Sequence, residues 1–140
     1  MNDDCIFCQI VSKKAPAGIL FENELVLSFI DIRPVNQGHA LVIPKSHVQL
    51  VEDIASEEIF FELFRVGKKI QLLIKEKIPD ITGFNYLIAN GEDAGQEIFH
   101  VHLHIIPRKH EDGFGFKFGP NFGKILTREE IDEVRSIILS

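Results

Sequence analysis

The run Phe99-His-Val-His-Leu-His-Ile-Ile-Pro107 sets the strongest limit on how this chain folds. His100, His102 and His104 alternate with Val101, Leu103 and Ile105. That is the period of a β-strand, whose successive side chains point to opposite faces. The spacing predicts a strand over 99–106, with three imidazoles in a row at roughly 6.6 Å steps on one face and an apolar side packed into a core. Imidazole changes protonation near neutral pH and serves as nucleophile, general acid or base, or metal ligand. The row therefore points to phosphoryl chemistry or to metal binding, a zinc site made of all three included. The plain alternative is a strand whose exposed face is merely His-rich. It requires half of the chain's six histidines to fall at period two directly after a Gly-containing loop.

A chain of 140 residues, 45% hydrophobic and 26% charged, is expected to form one globular domain over 1–140 with a sizeable core. The net charge of −6 argues against a nonspecific nucleic-acid coat. Any positive field for an anionic substrate must then be local, and Arg108 and Lys109, just after the histidines, are candidates. The polar start Met1-Asn-Asp-Asp has no basic and apolar leader, and no stretch approaches the ~18 apolar residues of a membrane span. A cytoplasmic location without a membrane or nucleic-acid partner is expected. In a reducing compartment Cys5 and Cys8 are poor candidates for a disulfide. Their Cys-x-x-Cys spacing is half of a zinc site. A redox role would require a βαβ setting, for which the sequence gives no sign.

Ile19 to Ile30 reads as two short strands around Glu22-Asn23-Glu24, and His39 to Pro44 as a further strand ended by its proline. Ser56 with Glu57 and Glu58 forms an N-cap and acidic first turn. The apolar spacing of Phe60, Leu63, Phe64, Gly67, Ile70, Leu73 and Ile74 then predicts the main amphipathic helix to about Lys77. Phe84 to Ala89 and 99–106 are two further strands joined by a loop with Gly91 and Gly95. Residues 113–123 alternate glycine and phenylalanine. They are expected to pack their rings on the core or on a second subunit, with a flap over a pocket as the other reading. Thr127 and Glu130 form a capping box that opens a last helix. The fold class is α+β: an antiparallel sheet, one main helix and a C-terminal helix.

The stretch Asn90 to Arg108, with its histidine row, resembles the signature of the histidine triad (HIT) superfamily of nucleotide hydrolases and transferases. Phe29-Ile-Asp-Ile-Arg-Pro-Val-Asn-Gln-Gly-His-Ala-Leu-Val-Ile-Pro-Lys-Ser-His47 is similar to the upstream half of the same domain. Cys5-Ile-Phe-Cys-Gln-Ile10 looks like the opening of bacterial, zinc-containing, Hint-like members. Together these cover about residues 5–110. The resemblance implies a HIT-like fold with a five-stranded antiparallel sheet, and a homodimer formed by two sheets joining side by side.

For the site, the resemblance implies that His102 is the nucleophile, attacking the α-phosphorus to give a nucleotidyl-histidine that water hydrolyses. His104 would serve the phosphate or leaving-group oxygens, and His39 would orient and polarise the nucleophile. A backbone carbonyl or an imidazole holding one ring nitrogen of His102 as N–H would leave the other free to attack. Asp31 would accept both ribose hydroxyls, with Phe29, Ile32, Phe7 and Ile10 as walls of a base pocket. Asn90 and Gln96 would contact phosphate or ribose-proximal oxygens. Where some members carry Ser after that glutamine, this chain has Glu97, whose carboxylate cannot donate a hydrogen bond when ionised. Cys5, Cys8, His47 and His100 would complete a structural Cys2His2 zinc site.

The expected activity is hydrolysis at the α-phosphate of a purine nucleotide conjugate. Ile106-Pro-Arg108 looks like dinucleoside polyphosphate hydrolases, such as tetraphosphatases, more than like Hint-type phosphoramidases. The alternatives are a Hint-type nucleoside phosphoramidase, a nucleotide-binding module with vestigial turnover, and a zinc protein that uses the triad itself as ligands.

Overall fold

Val26–Ile30 (β2) and Ala40–Pro44 (β3) are buried along nearly their whole length, because they lie inside a sheet with one face covered by a long helix and the other partly covered by a short one. Residues 2–140 are described by the computed structural model. Around this pair the sheet runs in the order β1-β2-β3-β5-β4, with β1 at Ile19–Glu22, β4 at Gly83–Leu87 and β5 at Leu103–Arg108. Every neighbouring pair is antiparallel. The five-stranded α+β architecture implied by the sequence is the one observed.

Alternation sorts the side chains by face. Val26, Ala40, Val42, Leu103 and Ile105 point to one side and meet Leu63, Val66, Ile70 and Ile74 of the helix Glu57–Lys77. That helix starts where expected: the Ser56 hydroxyl accepts the Ile59 N–H, and Glu57 and Glu58 sit in the first turn. Gly67 lets it lie close to β5, since a Cβ there would come within 3.1 Å of Ile105 and 3.2 Å of Leu103. Leu27, Phe29, Leu41 and Ile43 point to the other face. A short helix, Ile6–Val11 (α1 in chain order, making the longer helix α2), covers part of that face with Phe7 and Ile10. The first helix leaves no periodic signal in the sequence, because six residues are too few to show one.

Two expectations are corrected here. The strand that carries the triad begins at Leu103, not at residue 99. His100 and His102 lie in the segment leading to it, where the Val101 N–H is used by the Val48 carbonyl at 2.8 Å rather than by a ladder partner. Val101 nevertheless stays in the core with Leu103 and Ile105. The Gly/Phe segment does not pack on the core of its own chain: Phe116, Phe118 and Phe122 are exposed, the last two stacked on each other at 3.8 Å. The helix that follows, Arg128–Leu139 (α3), has the expected Thr127/Glu130 capping box but no buried residue.

Candidate active site and metal centre

The sheet face opposite α2 is only partly covered, and the open part forms a cavity of about 440 Å3. Phe7, Ile10, Phe29 and Leu41 give it apolar walls. Asp31, His39, His102 and His104 bring the polar groups. Asp31 follows β2, His39 precedes β3, and His104 lies in β5 opposite Leu41, so the strand pairing itself converges them. Gly38 makes the turn into His39, with φ +93° and a position where a Cβ would come within 2.5 Å of Ile78. Only glycine meets both conditions.

The hydrogen bonds assign the imidazole tautomers one after another. His102 Nδ1 lies 2.7 Å from the His100 carbonyl, which can only accept, so Nδ1 carries the proton and Nε2 keeps a free lone pair. His39 Nδ1 accepts the Val35 N–H at 3.0 Å. Its Nε2–H therefore donates to His104 Nδ1 at 2.9 Å, which leaves the His104 proton on Nε2. The outcome is one ring with an exposed lone pair beside one that presents a donor, their centroids 4.9 Å apart. Burial lowers the proton affinity of all three. His104 is pushed down to about 4, by burial first and then by the neighbouring His102 and His39. His39 and His102 are lowered by burial, with the Asp31 carboxylate opposing the shift in each. The trio is neutral at neutral pH.

His39 thus reaches His104, not the expected nucleophile, whose ring is held by a backbone carbonyl instead. Asp31 Oδ2 is 3.5 Å from His39 and 3.9 Å from His104, while its Oδ1 accepts the Arg33 N–H. Phe29, Phe7 and Ile10 line the cavity as expected; Ile32 borders it but is 91% exposed, a rim rather than a wall. Asn90 and Gln96 do not reach it. Asn90 takes the Val51 N–H and donates to Glu52, while buried Gln96 bonds Gln49 O, Ile98 O and Gly91 N. They brace the loop that presents Gly95, Glu97 and Ile98 to the cavity. Arg108 is spent elsewhere, on Asp112, Asn85 and the Phe114 carbonyl, and Arg33 is the basic residue at the cavity. The role of Arg33 had no sequence signal beyond its place two residues after Asp31.

Phe7 stands between two sites: its ring centroid is 5.2 Å from that of His102 and 5.8 Å from that of His100. His100 turns away from the row and joins Cys5, Cys8 and His47, whose ligand atoms all lie within 4.8 Å of one another. His100 Nδ1 is 3.5 Å from Cys5 Sγ and 3.6 Å from Cys8 Sγ, and His47 Nδ1 is 3.3 Å from Cys8 Sγ. A tetrahedral ion with metal–sulfur bonds of about 2.3 Å and metal–nitrogen bonds of about 2.0 Å needs sulfur–nitrogen separations of about 3.5 Å. The donor set fits. His100 Nε2–H donates to the Pro44 carbonyl at 2.8 Å, which fixes Nδ1 as the lone-pair nitrogen.

The family model of the HIT domain matches residues 12–111. The HIT family protein of Bacillus anthracis superposes with a TM-score of 0.87 at 41% identity, over 99% of this chain and 97% of that one. A zinc-bound histidine triad family protein of Mycobacterium smegmatis gives 0.74 at 39% identity, over 84% of each. The adenosine 5′-monophosphoramidase HNT1 of Candida albicans is 36% identical over 110 residues, 76% of this chain and 72% of that protein.

Proposed function

Because the chain belongs to the HIT family, we propose that it hydrolyses nucleoside 5′-monophosphate conjugates at the α-phosphorus, as a nucleoside phosphoramidase. The observation that carries the reading is the His102 ring: Nδ1–H held by the His100 carbonyl, and Nε2 left as a lone pair in a cavity. In this reading Nε2 attacks phosphorus and a nitrogen–phosphorus bond forms as the bond to the leaving group breaks. The departing amine takes a proton from water, and the hydroxide left behind cleaves the nucleotidyl-histidine, so the net reaction consumes one water and gives the monophosphate and the amine. His104 Nε2–H donates to a phosphoryl oxygen as charge develops there, kept in that tautomer by His39. Asp31 offers two acceptor oxygens to a ribose diol.

A phosphoramidase is preferred to a dinucleoside tetraphosphatase for two reasons. The related Candida albicans enzyme is named for that activity, and Arg108, tied to Asp112, leaves the cavity with little positive charge for a polyphosphate. In the same reading Cys5, Cys8, His47 and His100 hold a zinc ion. Closed by four protein ligands, it supplies structural cross-linking and no reactive water.

The test is turnover of adenosine 5′-phosphoramidate and of diadenosine tetraphosphate by the purified protein and by its His102→Ala variant. Faster use of the phosphoramidate, abolished in the variant, is the expected result. Nucleotide binding with no turnover of either compound would instead favour a binding module.

A further inference from the structure

A second cleft, of about 350 Å3, lies beside the nucleotide cavity, and Ile6, Glu97 and Ile98 border both spaces. The base-side walls of the first cavity are apolar, Asp31 suits the ribose, and His102 and His104 mark the phosphorus. Arg33 also lines this cavity, as does the wall Gly95, Glu97 and Ile98, and of that wall Glu97 and Ile98 border the second cleft as well. A leaving group directed from the first cavity into the second cleft passes Glu97, which borders both.

The position of Glu97 is fixed by its neighbours. Gln96 is buried and bonded to three backbone groups, Gln49 O, Ile98 O and Gly91 N. Gly95 adopts the left-handed conformation, φ +93°, that ends the short turn Glu92–Ala94. The loop therefore holds its backbone while the side chain of residue 97 faces outward, between the two spaces. The second cleft also carries Asn2, Asp4 and Gln49, and it adjoins Cys5 and His47 of the metal donor set. Among the described residues no Lys or Arg borders it, and Arg33 is the only one bordering the first cavity.

We infer that Glu97 determines which leaving groups are accepted: the second cleft receives the leaving group, and the carboxylate at its entrance selects amines that carry a further positive charge against those that carry a negative one. This rests on the phosphoramidase reading and names its substrate class as nucleoside phosphoramidates of cationic amines. An ion pair formed as the substrate docks lowers KM. Its like-charge counterpart raises KM and excludes polyphosphate leaving groups.

The experiment uses three adenosine 5′-phosphoramidates of similar length, made from 1,3-diaminopropane, propylamine and β-alanine. Their leaving groups are cationic, neutral and anionic. kcat/KM is measured for the full chain and for Glu97→Gln and Glu97→Lys, each protein's values being divided by its own value for the propylamine conjugate, so that a general loss of activity cancels. The full chain is expected to favour the cationic over the anionic conjugate by about tenfold or more, a ratio equal to about 1.4 kcal/mol. Glu97→Gln should remove most of that ratio and Glu97→Lys should invert it. Raising the salt concentration should compress the ratio in the full chain. Equal ratios in all three proteins would overturn the role of Glu97 while leaving the phosphoramidase reading intact. No turnover of any conjugate by the full chain would overturn that reading, and this inference with it.

Discussion

At the scale of single residues, the chemistry depends on where three protons sit. The histidines themselves are legible in the sequence, and so is the central place of His102. Their tautomers are not, because each is decided by a carbonyl or N–H that only the folded chain brings near: the His100 carbonyl for His102, and the Val35 N–H for His39 and, through it, His104. For the same reason the expected link from His39 to the nucleophile became a link to His104. The buried pair has a consequence for stability. In the fold His104 takes up its proton only near pH 4, against the ordinary histidine value of 6.5. Between those values the unfolded chain binds a proton that the native chain does not, so stability falls as pH drops from 6.5 towards 4 and levels off below. His39, lowered by burial, acts in the same direction. Urea unfolding between pH 4 and 7 should show this slope, and His104→Asn should flatten it. Parallel profiles for the two proteins would mean that His104 is not held neutral by the fold.

Among the elements, those with long periodic patterns were the ones the sequence revealed. The apolar spacing from Phe60 to Ile74 and the cap at Ser56 locate α2 without help from tertiary contacts. The start of β5 lies later than the alternation predicts, because the alternation continues through His100 and Val101 although the ladder does not: the backbone there bonds to Val48. The first helix is the opposite case. With six residues it is far below the length at which a helix persists alone, and its only buried side chains are Phe7, Cys8 and Ile10. Cys5 and Cys8 flank Phe7, so an ion shared with His47 and His100 would anchor that ring beside His102. Elemental analysis should therefore find about one zinc per chain, lost in Cys8→Ser and retained in His102→Ala and His104→Ala. Stripping the metal should speed amide exchange in residues 6–11 before it affects α2. Zinc lost through His102 or His104 instead would assign the ion to the triad.

Across the whole molecule, the feature that one chain leaves unresolved is its C-terminal surface. Phe116, Phe118, Phe122, Ile125, Ile137, Ile138 and Leu139 are each 59–92% exposed. Apolar side chains left exposed in this number favour burial against a second chain. The sheet adds a second reason: β1 and β4 are its two edges, and an open edge invites pairing with another chain. The rings expected to pack on the core or on a second subunit stay outside this core, with Phe116, Phe118 and Phe122 exposed. What remains of that reading is the second subunit. We expect a symmetric homodimer, with sedimentation giving twice the 15.9 kDa of one chain at micromolar concentration. A chain ending at Gly115 keeps the sheet, α2 and the Arg108–Asp112 bond that closes β5. It should remain folded and sediment as a monomer if the tail forms the contact. A truncated chain that still dimerises would assign the interface to an edge strand, β1 or β4, and leave the tail outside it, whereas a full-length monomer would remove the second subunit altogether.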